Sequence, residues 1–252
     1  MKKLLKAALS MSMALAMVGC GSSSKNQTLI IGTSPDFPPF ESKNEAGELE
    51  GFDIDMGNWI GDYLADEGVS VEWKEMSFDT IVSAVQTNQI DLGISGFNYS
   101  EERAEQVAFS EDYYGSALLC VVPKDSEITT LADLSGKTVG AQLATTNETA
   151  ANELKEKDDS ITVKTNTDVK ILMEDLKSNG IDAVILDGPV AYSYAESGDY
   201  KILDEEVKPL EDGANYIIAN KDNEELLEKV NKAIEAFKNS DDYATYLEKL
   251  GL

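Results

Sequence analysis

Residues 28–34, TLIIGTS, open the run that decides the fold; DMGNWIGDYLADEG (55–68), VSVEW (69–73), FDTIVSAVQTNQ (78–89) and IDLGIS (90–95) follow in order. The first, third and fifth pieces are short, aliphatic or β-branched and bounded by turn residues, as strands are. The second places Met56, Trp59, Ile60, Tyr63 and Leu64 at i, i+3, i+4, i+7 and i+8, one face of a helix that Gly68 closes. The fourth reads as a second helix. Strand, helix, strand, helix, strand predicts a mostly parallel sheet covered by helices.

Working outward, a second series repeats the pattern: SALLCVV (116–122), TLADLSGKTVGAQ (130–142), a helix from about Thr146, ITVKT (161–165), the helix DVKILMEDLKSNG (168–180) and IDAVILD (181–187). Cys120 lies inside the first of these runs, where a free thiol packs as a small hydrophobe. The segment GANYIIANKDNEELLEKVNKAIEAFKNS (213–240) adds a strand and a helix with Leu227, Val230, Ile234 and Phe237 on one face. With 252 residues, 42% of them apolar, the chain can bury one large core or two modest ones.

Lys and Arg total 21 against 47 Asp and Glu, a net charge of −26 that repels nucleic acid. Histidine is absent, which removes a His-based catalytic triad and a His-ligated metal. No cofactor is called for. The N-terminus carries Lys2, Lys3 and Lys6, an apolar span from Ala7 to Val18 and small residues before Cys20, which predicts a secretory signal over 1–19. The apolar span is too short for a bilayer-spanning helix. Loss of that signal takes away three lysines and no acid, so the mature surface is more acidic still. MVGC (17–20) resembles a bacterial lipobox, with Met17 at the usual Leu, and GSSSKNQ (21–27) follows as a polar tether. Cys20 is then a lipidation site that holds the protein on the outer face of the cell membrane, in the periplasm where an outer membrane exists. A plain signal peptide with an incidental cysteine is the other reading.

Parallel strands present ligand sites at their carboxyl ends, and four loops there carry polar chemistry. In SPDFPPFE (34–41), three prolines stiffen a loop bearing Phe37 and Phe40, rings that belong either to a cleft or to the core. In ISGFNYSEER (94–103), Arg103 offers a bidentate grip on a carboxylate, or pairs with Glu101, Glu102 or Glu105 on an exposed turn. Thr145 and Thr146 stand at a strand-to-helix junction where backbone N–H groups favour an anion, with N-capping as Thr146's simpler role. Asp187 ends a run that reads as a buried strand, a costly place for an unpaired charge unless it caps the helix starting near Pro189. A guanidinium, helix N–H donors, a carboxylate and aromatic faces together suit a zwitterionic amino acid.

GTSPDFPPFE, GELEGFDIDM, EMSFDTIVSAVQTNQIDLGISG, SEERAEQVAFSEDYY, LADLSGKTVGAQLATTNE and IDAVILDGPVA, in that order, resemble the amino-acid substrate-binding proteins of bacterial ABC importers, which have the type II periplasmic-binding fold. The resemblance covers nearly all of the mature chain. It implies two α/β lobes, 28–112 plus 216–252 and 118–210, joined by hinge strands at 113–117 and 211–215. It also implies that Arg103 binds the ligand carboxylate with backbone N–H groups of Asn98 and Thr146. Asp187 would bind the ammonium, assisted by the Gly96 carbonyl and the Asn98 side chain, and Phe37 and Phe78 would flank the ligand side chain.

Ser34 stands where relatives that take basic side chains often have Asp, although Asp36 is two residues on; Asn98 replaces Ser or Thr, and Ala144 a frequent Gly. With Gln142 in reach of a polar side chain, the expected ligand is a polar uncharged amino acid, with a basic one next. The expected partners are that free amino acid, the importer's membrane subunits and, through the anchor only, lipid; the protein is expected to be a monomer. The rival reading is an enzyme on the same fold, a prephenate- or arogenate-type dehydratase, whose acid–base groups would have to be Asp or Glu.

Overall fold

The computed structural model describes residues 27–115, 117–207 and 214–249. The signal segment, Cys20, the tether up to residue 26, and positions 116 and 211–213 of the expected hinge lie outside them. In chain order the elements are β1 (Gln27–Thr33), β2 (Ser42–Lys43), β3 (Leu49–Glu50), α1 (Phe52–Tyr63), β4 (Val69–Glu75), α2 (Phe78–Gln86), β5 (Leu92–Asn98), α3 (Glu101–Gln106) and β6 (Ala108–Gly115). Then come β7 (Leu118–Pro123), β8 (Thr138–Gln142), α4 (Thr146–Lys157), β9 (Thr162–Asn166), α5 (Val169–Lys177), β10 (Ala183–Asp187), α6 (Gly188–Ala195) and β11 (Tyr200–Ile202). The chain ends in β12 (Ala214–Ala219), α7 (Glu224–Lys238) and α8 (Asp241–Lys249).

Two five-stranded sheets result, ordered β4-β1-β5-β12-β6 and β11-β7-β10-β8-β9. Each is mostly parallel, as the alternation requires. β4, β1 and β5 run together, while β12 lies antiparallel between β5 and β6. In the second sheet β10, β8 and β9 run together and β7 opposes them. The opposed strand in each sheet is the first one after the chain changes sheet. Gly115 of β6 pairs with Ala214 of β12, so the segments beside the two crossings are held side by side.

Both sheets are covered on both faces, which explains their aliphatic runs. In β7, Leu118, Cys120 and Val122 join one buried cluster with Ala183 and Ile185 of β10; Leu119 and Val121 join the opposite one with Val184 and Leu186. This is the two-residue period of a strand, and each Leu, Ile or Val among them contributes about 1.5–3 kcal/mol on burial. Helix α1 begins earlier than its apolar face suggested. Met56, Ile60 and Leu64 are buried, but Tyr63 is exposed, stacked on a half-buried Trp59 that leans on Phe237 of α7. The turn after α1 is a short 3-10 segment, Ala65–Glu67, that Gly68 closes in a left-handed conformation. Gly57 lets α1 approach β4: a Cβ there would lie 2.5 Å from the Trp73 ring.

Candidate functional site

Four strands, β1, β5, β8 and β10, send their carboxyl ends to one cleft between the sheets. Its innermost space is about 10 Å³, bordered by Asp36, Phe37, Glu41, Phe78, Asn98, Arg103, Gln142, Thr146 and Asp187. That is room for about one water. On the outer side of Arg103 a cavity of about 410 Å³ opens, lined by Phe78, Glu102, Thr145, Thr146 and Glu148 among others.

Arg103 is brought in by α3, whose first turn is fixed by the Ser100 hydroxyl accepting from Arg103 N–H at 3.2 Å. Its guanidinium leaves the helix surface and its neighbouring glutamates. One arm donates to the Asn98 carbonyl and the other to the Ala144 carbonyl of the opposite lobe at 2.9 Å. The rings of Phe78 and Phe97, stacked with centroids 4.6 Å apart, lie 5.7 and 5.2 Å from its Cζ. Burial pulls its pKa down to about 10, against the attraction of Glu102 and Asp187, so it keeps its charge at neutral pH. Of its two readings, the solvent-facing ion pair does not form.

Thr145, not Thr146, caps α4, accepting from Glu148 N–H at 3.2 Å. Thr146 is thereby free to donate its hydroxyl across the cleft to Asn98 Oδ1 at 2.8 Å. Ala144 precedes them with φ of 64°, the region Gly adopts most easily. Asp187 occupies the first position before α6, yet its side chain makes no capping bond. It turns into the cleft, where Asn98 Nδ2 donates to it at 3.3 Å. Burial raises its pKa to about 6, a rise opposed by hydrogen bonds from Asn98 and Asn147 and by the Arg103 charge.

Phe37 is buried against Phe40 and also borders the cleft, so both of its readings apply. Ser34 donates to Asp36 Oδ1 at 2.6 Å and leaves the cleft wall to that acid. Asp36 then bridges the lobes, accepting from Gln142 Nε2 at 2.9 Å and from Val169 N–H at 2.8 Å. Gly96 has φ of 56° inside β5, and its N–H is fixed by Asp53 Oδ2 at 2.8 Å.

The cleft thus gathers Arg103, Asp187, Thr146, Asn98, Gly96, Phe37, Phe78 and Gln142, with Ser34 one layer behind. Sequence reasoning missed Glu41 and Asn147 on its wall and Asp53 behind it. The clue for Glu41 and Asp53 was an acid set within an apolar context, PPFES and GFDID.

Residues 29–251 match the family described as bacterial extracellular solute-binding proteins, family 3. The arginine-binding extracellular protein ArtP of Bacillus subtilis is 34% identical, over 99% of this chain and 96% of its own length. A probable histidine-binding protein of Campylobacter jejuni is 31% identical over the whole of both chains. Among solved structures, an ancestral arginine-binding protein bound to arginine superposes with a TM-score of 0.82 at 38% identity, covering 90% of this chain and 99% of its own. These relatives are named for binding amino acids and not for turnover. With its family match, its two-sheet architecture and its cleft at the strand ends, the chain belongs to the bacterial extracellular solute-binding proteins of family 3.

Proposed function

We propose that this protein is a lipid-anchored receptor that takes up an L-amino acid with a cationic side chain by closing its two lobes, and hands it to an ABC importer. The observation that carries the choice of ligand is the charge on the cleft wall. Asp36 and Asp187 line it against a single guanidinium, Arg103. A zwitterionic main chain uses Arg103 and Asp187 and leaves acid in excess, which a cationic side chain offsets. The relatives named for arginine and histidine support the same order, which puts basic ligands ahead of the polar uncharged ones that Ser34 and Gln142 suggested.

Arg103 binds the α-carboxylate from lobe one and Asp187 the α-ammonium from lobe two, so a ligand bonded to both holds the lobes together. The strands beside the two crossings act as the hinge. The anchor is Cys20, and the acidic mature surface keeps the body clear of anionic headgroups. A dehydratase is not favoured, since the relatives are named as binding proteins. Calorimetry of residues 21–252 against the twenty amino acids tests the reading. L-arginine or L-histidine should bind most tightly, and no ligand below about 100 μM, roughly 5.5 kcal/mol, would overturn it.

A further inference from the structure

At the back of the cleft lie two carboxyl groups, Glu41 on its wall and Asp53 behind it, that none of the ligand contacts proposed above uses. Glu41 follows the rigid proline loop and Asp53 opens α1; both are fully buried. Among the described residues neither makes an ion pair with Lys or Arg. Glu41 Oε1 accepts from the Ser95 hydroxyl at 2.7 Å, and Asp53 Oδ2 accepts both Gly96 N–H at 2.8 Å and the Tyr113 hydroxyl at 2.9 Å. The remaining oxygens, Glu41 Oε2 and Asp53 Oδ1, are buried and find no donor, and the two carboxyl groups lie near enough for each to shift the other's titration. Two such oxygens can satisfy each other only when one bears a proton.

We propose that Glu41 and Asp53 hold one proton between them, as acid and carboxylate, and that this pair positions Gly96 for the ligand. This role of Gly96 rests on reading the cleft as an amino-acid site, with the Gly96 carbonyl turned to the ammonium. Gly96 sits in a left-handed conformation within a strand, which needs a firm partner, and the Asp53 carboxylate supplies a charge-assisted one. The same oxygen holds Tyr113 of β6, at the start of the strand segment that leads to the crossing. One carboxylate therefore joins the ligand-facing backbone to the hinge side of lobe one. The ionisable groups facing the pair are Asp36 from the proline loop, which disfavours a charge on Glu41, and Tyr113 from β6, whose phenol is kept neutral by burial and the pair together. Burial, with Asp53 beside it, drives the Glu41 pKa well above the carboxylate range.

The sign of the linkage follows. Unfolded Glu41 releases its proton near its ordinary pKa, whereas the folded chain keeps it, so stability falls as pH rises above that point. Glu41→Gln replaces the acid O–H by an amide N–H aimed at Asp53 and keeps the oxygen for Ser95. In E41Q the unfolding constant between pH 5.5 and 8 should rise about tenfold less per pH unit than in the unmutated protein. E41Q should also bind L-arginine at least tenfold more tightly than Asp53→Leu, which strips Gly96 and Tyr113 of their acceptor. An unchanged pH slope in E41Q, or binding by E41Q as weak as that of D53L, overturns the proposal. If D53L does not fold, Asp53→Asn decides. Its amide faces Glu41 and favours the ionised acid, so the fall in stability that the pair contributes above the ordinary carboxylate pKa should vanish, and a profile in D53N that falls as steeply as the unmutated protein's overturns the pair. The stability measurements need no ligand, so a failure of the amino-acid reading, seen as an unmutated protein that binds nothing, stays distinct from a failure of this one.

Discussion

Asn98 of β5 donates to Asp187 at the end of β10 across 3.3 Å, the contact through which lobe one holds the acid of lobe two that is proposed for the ligand ammonium. The same side chain accepts from Thr146, so its amide is fixed at both ends. An acid here removes the donor and sets a second carboxylate against Asp187, which pushes the Asp187 pKa further up. Asn98→Asp should therefore weaken ligand binding at pH 7 by ten- to a hundredfold while leaving far-UV circular dichroism unchanged; calorimetry on the two proteins checks it.

Arg103 makes its two carbonyl bonds from opposite arms and lies against two aromatic rings, a geometry a single ammonium does not reproduce. Arg103→Ala should weaken every amino acid that binds by at least a hundredfold, about 3 kcal/mol, whatever its side chain. Arg103→Lys should recover less than a tenth of the lost affinity. Retained micromolar binding by R103A in a titration would remove the carboxylate assignment.

The pKa of Asp187, raised by burial to about 6, gives ligand affinity and stability opposite pH dependences. The ammonium needs the ionised acid, so below pH 6 affinity should fall about tenfold per pH unit. Stability from this group runs the other way. The folded chain retains the proton that the unfolded chain has released, so stability is lost as pH rises from the ordinary carboxylate value to about 6. Dissociation constants, and melting temperatures of the ligand-free protein, measured at pH 4.5, 5.5, 6.5 and 7.5 should both fall as pH rises, and Asp187→Asn should flatten both.

The β-α-β-α-β reading succeeded because helix and strand periods are local: Val230, Ile234 and Phe237 of α7 are buried on the face the spacing assigns them. β6, AFSEDYYG, and β11, YKI, have no such pattern and become strands only by pairing with β12 and β7. Arg103 and Asp187 could be placed at the cleft because Asp187 ends a buried-looking strand and Arg103 lies in the short helix after another. Asp53 was not, since an acid in the first turn of a helix is what the helix dipole alone would favour, and its burial depends on Gly96 and Tyr113, far along the chain. The roles of Thr145 and Thr146 depended on a single hydrogen bond, which sequence does not distinguish.

Asp36 closes the cleft on the side away from Arg103, and its two interlobe acceptor bonds make it both latch and selectivity element. Burial raises its pKa, while hydrogen bonds from Ser34 and Val169 oppose the rise. Both interlobe bonds end on Oδ2, while Oδ1 accepts from Ser34. Asp36→Asn can keep its oxygen on Gln142 and Val169 N–H and turn its amide to the Ser34 hydroxyl, so the latch persists. It removes the carboxylate that a zwitterionic main chain leaves unpaired, a charge loss specific to cationic side chains. D36N should therefore weaken L-glutamine severalfold at most and L-arginine by at least ten times more. Competition calorimetry with the two amino acids reads that ratio directly. Equal losses for both ligands would assign Asp36 to closure alone and remove it as the partner of a side-chain cation.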